Sequence, residues 1–199
     1  MSILQKSTST EMIIQGKIGL RAIEDDDLEQ LRDWRNQPHF RKNFREVKEL
    51  GMYNQRAWLT KVNQSSNDYM FAILELENNR LIGAGGLLYI DWILRSADFS
   101  IYIGEKGEYL NSEGYGGDAA KGLLEYGFNF LNMNKIWMEL YEYDNAKIDF
   151  FTKKMGFKID GKLRQNCFYK GAYYDSLIIS LLATEYHELT NSNNNTLTI

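Results

Sequence analysis

Three glycines, Gly114, Gly116 and Gly117, stand immediately before Asp118 and a run whose apolar positions recur at helical spacing, Ala120, Leu123, Leu124, Gly127, Phe128 and Leu131. Upstream, Asp98 to Gly104 is rich in β-branched and aromatic residues and reads as a strand. Between them, Glu105 to Gly117 is a polar, glycine-rich turn. Strand, glycine turn and helix in this order can hold an anion. Glycine lets the backbone approach a ligand closely, and the first turn of a helix offers unpaired N–H groups and a partial positive charge. The same residues also suit a plain connecting loop. Two phosphate loops are excluded by reading. G-x-x-x-x-G-K-[ST] fails because Gly117 is the third residue after Gly114 and no Lys-Ser or Lys-Thr follows. G-x-G-x-x-G fails because Ala119 stands where the last glycine belongs, and the stretch lies mid-chain rather than in a first βαβ unit.

Asn111-Ser112-Glu113-Gly114-Tyr115-Gly116 resembles the Q/R-x-x-G-x-G/A signature of the GNAT superfamily of N-acetyltransferases, with Asn in first place. Gly114 to Ala119 is similar to the GYGTEA that opens the signature helix of that family. Further along, Asp144-Asn145-Ala146 and Lys153-Lys154-Met155-Gly156-Phe157 resemble its N…(Y)EKxGF segment, and Gly161, Arg164, Gly171 and Tyr173-Tyr174-Asp175 resemble the tail of the branch with ribosomal-protein alanine and spermidine N-acetyltransferases. The likeness runs from about Gly16 to Tyr186.

The resemblance implies acetyl-CoA as co-substrate, no metal, and a primary amine acceptor. Cofactor-binding residues carried over by position are Tyr102 and Ile103 (backbone to the pantetheine amides), Asn111, Ser112, Glu113, Gly114, Tyr115, Gly116, Gly117 and Asp118 (the pyrophosphate turn), and Asn145 (the cofactor arm). Asp118 is also expected to face away and stabilise its own turn, and Asn145 also suits a helix N-cap. Glu113 stands where relatives often carry Lys or Arg, which implies weaker CoA affinity. Asp98 takes the place of a catalytic Glu and is the candidate base, with Glu105 and Glu139 as competitors; its alternative is a solvent-facing strand residue. Where many relatives carry a Tyr to protonate the leaving thiolate, this chain has Thr152, so Tyr143 or solvent is left for that task. Cys167 has no His or Lys beside it to make it a nucleophile.

Elements must bring these residues together. Residues 1–15 read as a leader. Gly16 to Ile23 reads as a strand, and Asp25-Asp26-Asp27 starts a helix through Leu28, Leu31 and Trp34 that ends before Pro38. Arg35, Arg41 and Arg45 follow, either a solvated basic edge or a site for an anionic or hydroxylated substrate. Asn54 to Val62 is a second helix. Tyr69 to Leu76 and Leu81 to Ile90 form a hairpin through Asn78-Asn79, where Gly83, Gly85 and Gly86 mark a bulge or a close backbone approach. Trp92 reads as the rim of the core, a substrate mouth or a dimer contact. After the central unit come a strand from Lys135 to Tyr143, a helix from Asn145 to Met155, a strand pair or one bent strand from Phe157 to Tyr169, and a last strand from Tyr173 to Leu182. The order β-α-α-β-β-β-α-β-α-β-β predicts an α/β (α+β) single domain with a mixed sheet and helices on both faces. The resemblance adds that this sheet is mostly antiparallel and splayed between its central strands. The expected division is a leader at 1–15, the acetyltransferase domain at 16–187 and a disordered Asn-rich tail at 188–199.

Bulk properties narrow the classes. The 199 residues suffice for one sizeable core, and 14% aromatics argue against disorder. A formal charge of −4 gives no field for nucleic acid, and suits a cationic substrate. One cysteine rules out an internal disulfide, and His39 and His187 are too few and too distant in sequence for a histidine metal site. No apolar run reaches a membrane span, and MSILQKSTST lacks the apolar region of a signal peptide, so a cytoplasmic protein is expected. The aromatic last strands raise a homodimer. The reading is acetyl transfer from acetyl-CoA to a protein N-terminus, a polyamine or an aminosugar by direct attack in a ternary complex. The alternatives are a non-catalytic acyl-CoA-binding or regulatory protein of the same fold, and an interaction module.

Overall fold

The computed structural model describes residues 12–104 and 114–195. Strands β1 (Ile13–Gln15), β2 (Ile18–Ala22), β3 (Tyr69–Glu75), β4 (Arg80–Asp91), β5 (Ser96–Ile103), β6 (Lys135–Tyr141), β7 (Lys158–Tyr169) and β8 (Ala172–Leu182) form one sheet in the order β1-β2-β3-β4-β5-β6-β8-β7. Every neighbouring pair is antiparallel except β5 and β6. That parallel pair holds for three residues only, Ser96↔Lys135, Ala97↔Ile136 and Asp98↔Trp137. Beyond Asp98 the two strands part, as the resemblance implied.

The helices are α1 (Leu28–Asn36), α2 (Pro38–Arg41), α3 (Met52–Gln64), α4 (Tyr115–Glu125, extended by a π-helical turn to Phe130), α5 (Asn145–Asp149, extended likewise to Lys154) and α6 (Ala183–Asn195). Period-two alternation along β5 divides two cores. Phe99, Ile101 and Ile103 join the core beneath α4, α5 and α6, whereas Tyr102 joins the one with Trp34, Phe40 and Leu59 of α1, α2 and α3. The helices therefore cover both faces of the sheet.

The stretch before Gly16 contributes an edge strand, β1, paired to β2, where a leader was expected. The expected tail boundary at residue 188 falls inside α6. Its polar sequence hides two apolar anchors: Tyr186 stacks on Phe128 with centroids 4.7 Å apart, and the Leu189 side chain covers Gly156. Between Phe157 and Tyr169 the chain forms one strand, β7, bulged between Ile159 and Gly161 and again between Leu163 and Cys167. Among the described residues no helix is long and apolar enough to cross a membrane.

The aromatic cluster under α5 fixes that helix to the sheet. Phe151 is fully buried, with ring centroids 5.6 Å from Phe99 of β5 and 5.2 Å from Phe157. Phe151→Ala is expected to lower stability by about 3–5 kcal/mol, read as a lower urea midpoint with unchanged slope. A cost near zero would mean that α5 is held by other contacts.

Candidate active site

The fork between β5 and β6 exposes strand backbone inside the molecule. The Gly104 N–H bonds the Ile82 carbonyl at 2.8 Å, so alternation turns the backbone groups of Tyr102 and Ser100 to β4 as well. Those of Ile101 and Ile103 face the fork. This corrects the expectation for Tyr102, whose backbone belongs to the β4 ladder. Its ring is buried against Phe44, centroids 5.5 Å apart, and burial pushes its hydroxyl pKa far up. Ile103 keeps its open backbone edge, and Ile101 joins it.

At the fork's end, the α4 helix begins on Gly114, whose φ of +93° is left-handed and suits glycine. The amides of the first turn, Gly116 and Gly117 among them, precede the first intrahelical bond, Asp118 N–H to Gly114 O at 2.9 Å. A Cβ at Gly114 or Gly117 would meet nothing within 4 Å among the described residues, which leave this side of the turn open. Tyr115 is buried and donates its hydroxyl to Glu75 at the end of β3, which pins this turn to the sheet. Asp118 departs from its cofactor-binding expectation. Its amide is used inside the helix, and its carboxylate accepts the Lys17 N–H at 2.9 Å, so it ties the turn between β1 and β2 to α4 rather than stabilising its own turn as expected. Asn111, Ser112 and Glu113, and the competitor base Glu105, lie outside the described residues.

Where β5 and β6 diverge, carboxylates gather. Asp98 is buried, not solvent-facing, and shares its face of the sheet with Trp137 and Glu139 of β6. Arg45, from the segment between α2 and α3, reaches both: Nη1 lies 2.5 Å from Asp98 Oδ2 and Nε 3.1 Å from Glu139 Oε2, with the guanidinium 5.7 Å from the Trp137 ring centroid. The bulge in β7 turns Asn166 inward, so that its Nδ2 donates to Glu139 Oε1 at 2.6 Å while Ser176 Oγ donates to the same oxygen at 2.7 Å. Burial raises the Asp98 pKa, against the opposing pull of Arg45 and with help from Glu139. Burial works against the Arg45 charge, but Asp98 and then Glu139 outweigh it and raise its pKa.

The arginines foreseen as a basic edge or an anion site are engaged within the protein. Arg35 lies 3.8 Å over the Phe44 ring, Arg41 donates to the Asn36 carbonyl at 2.5 Å, and Arg45 serves the carboxylates. Trp92 sits on the rim, its Nε1 donating to Ser66 O at 3.1 Å. Asn145 is the exposed first residue of α5, and the cap is Asp144, whose side chain accepts the Lys147 N–H at 3.3 Å. Asn145 therefore loses its capping alternative.

Two groups escaped the sequence reading. The Arg45–Glu139–Asn166 connection spans residues distant in sequence and has no local signal. Lys147 had one: a cation in the first turn of α5 opposes the helix dipole, which marks it for another task. It is buried, and its Nζ lies 3.3 Å from the Ile101 carbonyl at the fork. Burial lowers its pKa to about 8, resisted by Asp144 and Asp98. Thr152, in the place of the relatives' donor Tyr, and Tyr143, put forward in its stead, are both committed elsewhere. Thr152 donates to the Ile148 carbonyl at 2.7 Å, and Tyr143 donates to the Lys42 carbonyl at 2.5 Å. Among the described residues no group of three or more His, Cys, Asp or Glu side chains could hold a metal ion.

Comparison with known proteins agrees with this geometry. The model of the acetyltransferase (GNAT) domain family matches residues 17–158. The spermidine N(1)-acetyltransferase of Vibrio cholerae is 26% identical over 183 residues, 87% of this chain and 97% of the relative. That of Escherichia coli K12 is 30% identical over 100 residues, 50% of this chain and 52% of the relative. The crystal structure of the Vibrio cholerae enzyme in complex with CoA and spermine superposes with a TM-score of 0.77 at 25% identity, covering 86% of this chain and 98% of that one.

Hydrogen bonds from Tyr115, then Arg80 and Asn78, hold the Glu75 carboxyl down to about 2. A depressed carboxyl stabilises the fold above its ordinary value of 4.5 and loses that contribution as pH falls through about 2. Tyr115→Phe is therefore expected to melt at lower temperature than the parent at neutral pH, with the gap closing as pH falls below 4.5. Thermal melting across pH checks this, and a gap independent of pH would separate Tyr115 from Glu75 energetically.

Proposed function

The chain belongs to the GNAT acetyltransferase family and is an acetyl-CoA-dependent N-acetyltransferase; on that premise we propose that its acceptor is a polyamine, bound by an ammonium group at Asp98 and Glu139. One observation carries the reading: a single guanidinium bridges two largely buried carboxylates above an indole ring at the mouth of the fork. Such a place is built for a cation. An arriving ammonium takes over contacts that Arg45 makes in the free protein. The spermidine acetyltransferases among the relatives support the same acceptor class.

Acetyl-CoA fits the remaining parts of the site. The amides of Gly116 and Gly117 at the α4 N-terminus suit the pyrophosphate, as the dipole and open turn favour an anion. The edge groups of Ile101 and Ile103 suit the amides of the pantetheine arm, since unpaired strand backbone needs partners. An arm lying along β5 from α4 brings its reactive end toward Asp98. The raised pKa of Asp98 suits it to take the proton from the acceptor ammonium, and the freed amine then attacks the thioester directly. Asn166 and Ser176 hold Glu139 in place beside it.

Spermidine and spermine are expected to be acetylated with higher kcat/KM than an aminosugar or an N-terminal peptide, and a panel with thiol-release detection checks this. Asp98→Asn is expected to lower kcat at least about 100-fold with acetyl-CoA binding retained, and to remove the acid limb on which the rate rises with pH as Asp98 ionises. An unchanged rate would remove Asp98 as the base. Gly117→Glu is expected to keep the fold, since a Cβ there meets none of the described residues, and to put a negative charge over the turn. Calorimetry should show that it loses CoA binding, and retained affinity would move the pyrophosphate elsewhere.

A further inference from the structure

We propose that Lys147 is the group that gives a proton to the CoA sulfur as it leaves, a role that rests on the acetyl-CoA placement just described. The argument begins from position. Lys147 stands in the first turn of α5, and its Nζ enters the fork from the α5 face to meet the Ile101 carbonyl at 3.3 Å. Asp98 and Arg45 approach from the opposite face. From Ile101 to Asp98 is three residues of strand, about 10 Å, so an arm running along this edge passes Lys147 just before its reacting end. The α5 side of the fork is apolar, since Phe99, Ile101 and Phe151 are packed into the core there. A thiolate formed there has lost its water and needs a cation or a proton.

Among the described residues, the two hydroxyls nearest this task by sequence position are engaged elsewhere. The Thr152 hydroxyl is tied to its own helix, and the Tyr143 hydroxyl to Lys42 and the neighbourhood of Cys167 Sγ, 3.5 Å away. Burial, desolvation first, pushes the Tyr143 hydroxyl far up, which makes it a poor acid. The four-carbon stem of Lys147 gives its ammonium the reach to meet the sulfur beside Ile101. Among the described residues, the charged groups that act on it are Asp144, from the cap of α5, and Asp98 on β5, itself paired with Arg45 beside Glu139. With burial set against these carboxylates, its pKa comes to about 8, close to that of a thiol, so the proton moves between near-equal acids.

The step balances without a further reactant. The acceptor ammonium gives one proton to Asp98, the amine nitrogen forms its bond to the acetyl carbon, and the carbon–sulfur bond breaks with its electron pair going to sulfur. Lys147 passes a proton to that sulfur. Asp98 returns its proton to solvent, the amide nitrogen sheds its second proton there as well, and Lys147 recovers one from solvent, leaving one proton released per turnover and both side chains reset.

The test uses Lys147→Met and Lys147→Arg with CoA and with acetyl-CoA plus spermidine. Calorimetry first measures CoA affinity, and ultraviolet absorbance then follows ionisation of the bound thiol with pH. The parent and Lys147→Arg should show about tenfold more thiolate than Lys147→Met at a fixed pH below the thiol pKa, because both keep a cation in the slot. Both variants should lose about 100-fold in kcat, with the KM for acetyl-CoA within about threefold. The alkaline fall of the parent rate as pH passes about 8 should vanish in Lys147→Met. Equal thiol ionisation in parent and Lys147→Met, or an alkaline limb that persists in the variant, would overturn the assignment while leaving the cofactor placement intact. Absence of CoA binding to the parent would overturn both.

Discussion

Three residues of parallel pairing between β5 and β6 set everything that follows. Strands that pair along their whole length satisfy each other's backbone, while strands that part leave carbonyls and amides facing a gap. Here the parting begins at Asp98, and the gap is flanked by Ile101 and Ile103 on one side and β6 on the other. β6 remains secure as it diverges because β8 pairs with it along Lys135 to Tyr141. β5 is likewise held by β4. The fork is thus stable while offering hydrogen-bonding edges to a guest. In the free protein the Lys147 ammonium meets one of those edges.

Alternation then sorts chemistry onto two faces. On one, Asp98, Trp137 and Glu139 gather around Arg45, and on the other Lys147 comes through the aromatic and aliphatic wall of α5. Both groups are shifted by the same burial in opposite directions. The carboxyl rises and the ammonium falls, so each approaches the range where protons are exchanged near neutral pH. Two acid–base groups on opposite sides of a slot suit a transfer in which the nucleophile loses a proton and the leaving group gains one.

The α4 turn adds a third constraint. Its helix must start where the fork ends, and the Tyr115–Glu75 bond ties that start to β3. At the same end of β5, the Gly104 backbone leaves room for the Trp34 indole, since a Cβ there would overlap the ring. The end of β5 is therefore closed by α1 and Tyr102 on one face and by α4 on the other.

The sequence by itself determined what depends on near neighbours. Period two in β5 and β6, the 3.6 period of α1 and α4, and the glycine able to take positive φ at Gly114 follow from local sterics and from which side chains avoid water. Ordered motifs along the chain also carried the family and the sheet. Tertiary structure decided what depends on direction and register. Strand register turned the Tyr102 backbone to β4 and the Ile101 backbone to the fork, and a one-residue shift would have reversed them. The polar run of α6 became helix through Tyr186 and Leu189 contacts with residues far earlier in the chain. Arg45, Asp98, Glu139 and Asn166 meet only after β5, β6 and β7 are in place, and the Lys147 pKa falls only once the α5 core has removed its water. Charges, unlike periodicities, take their properties from whatever surrounds them, and those surroundings exist only in the folded chain.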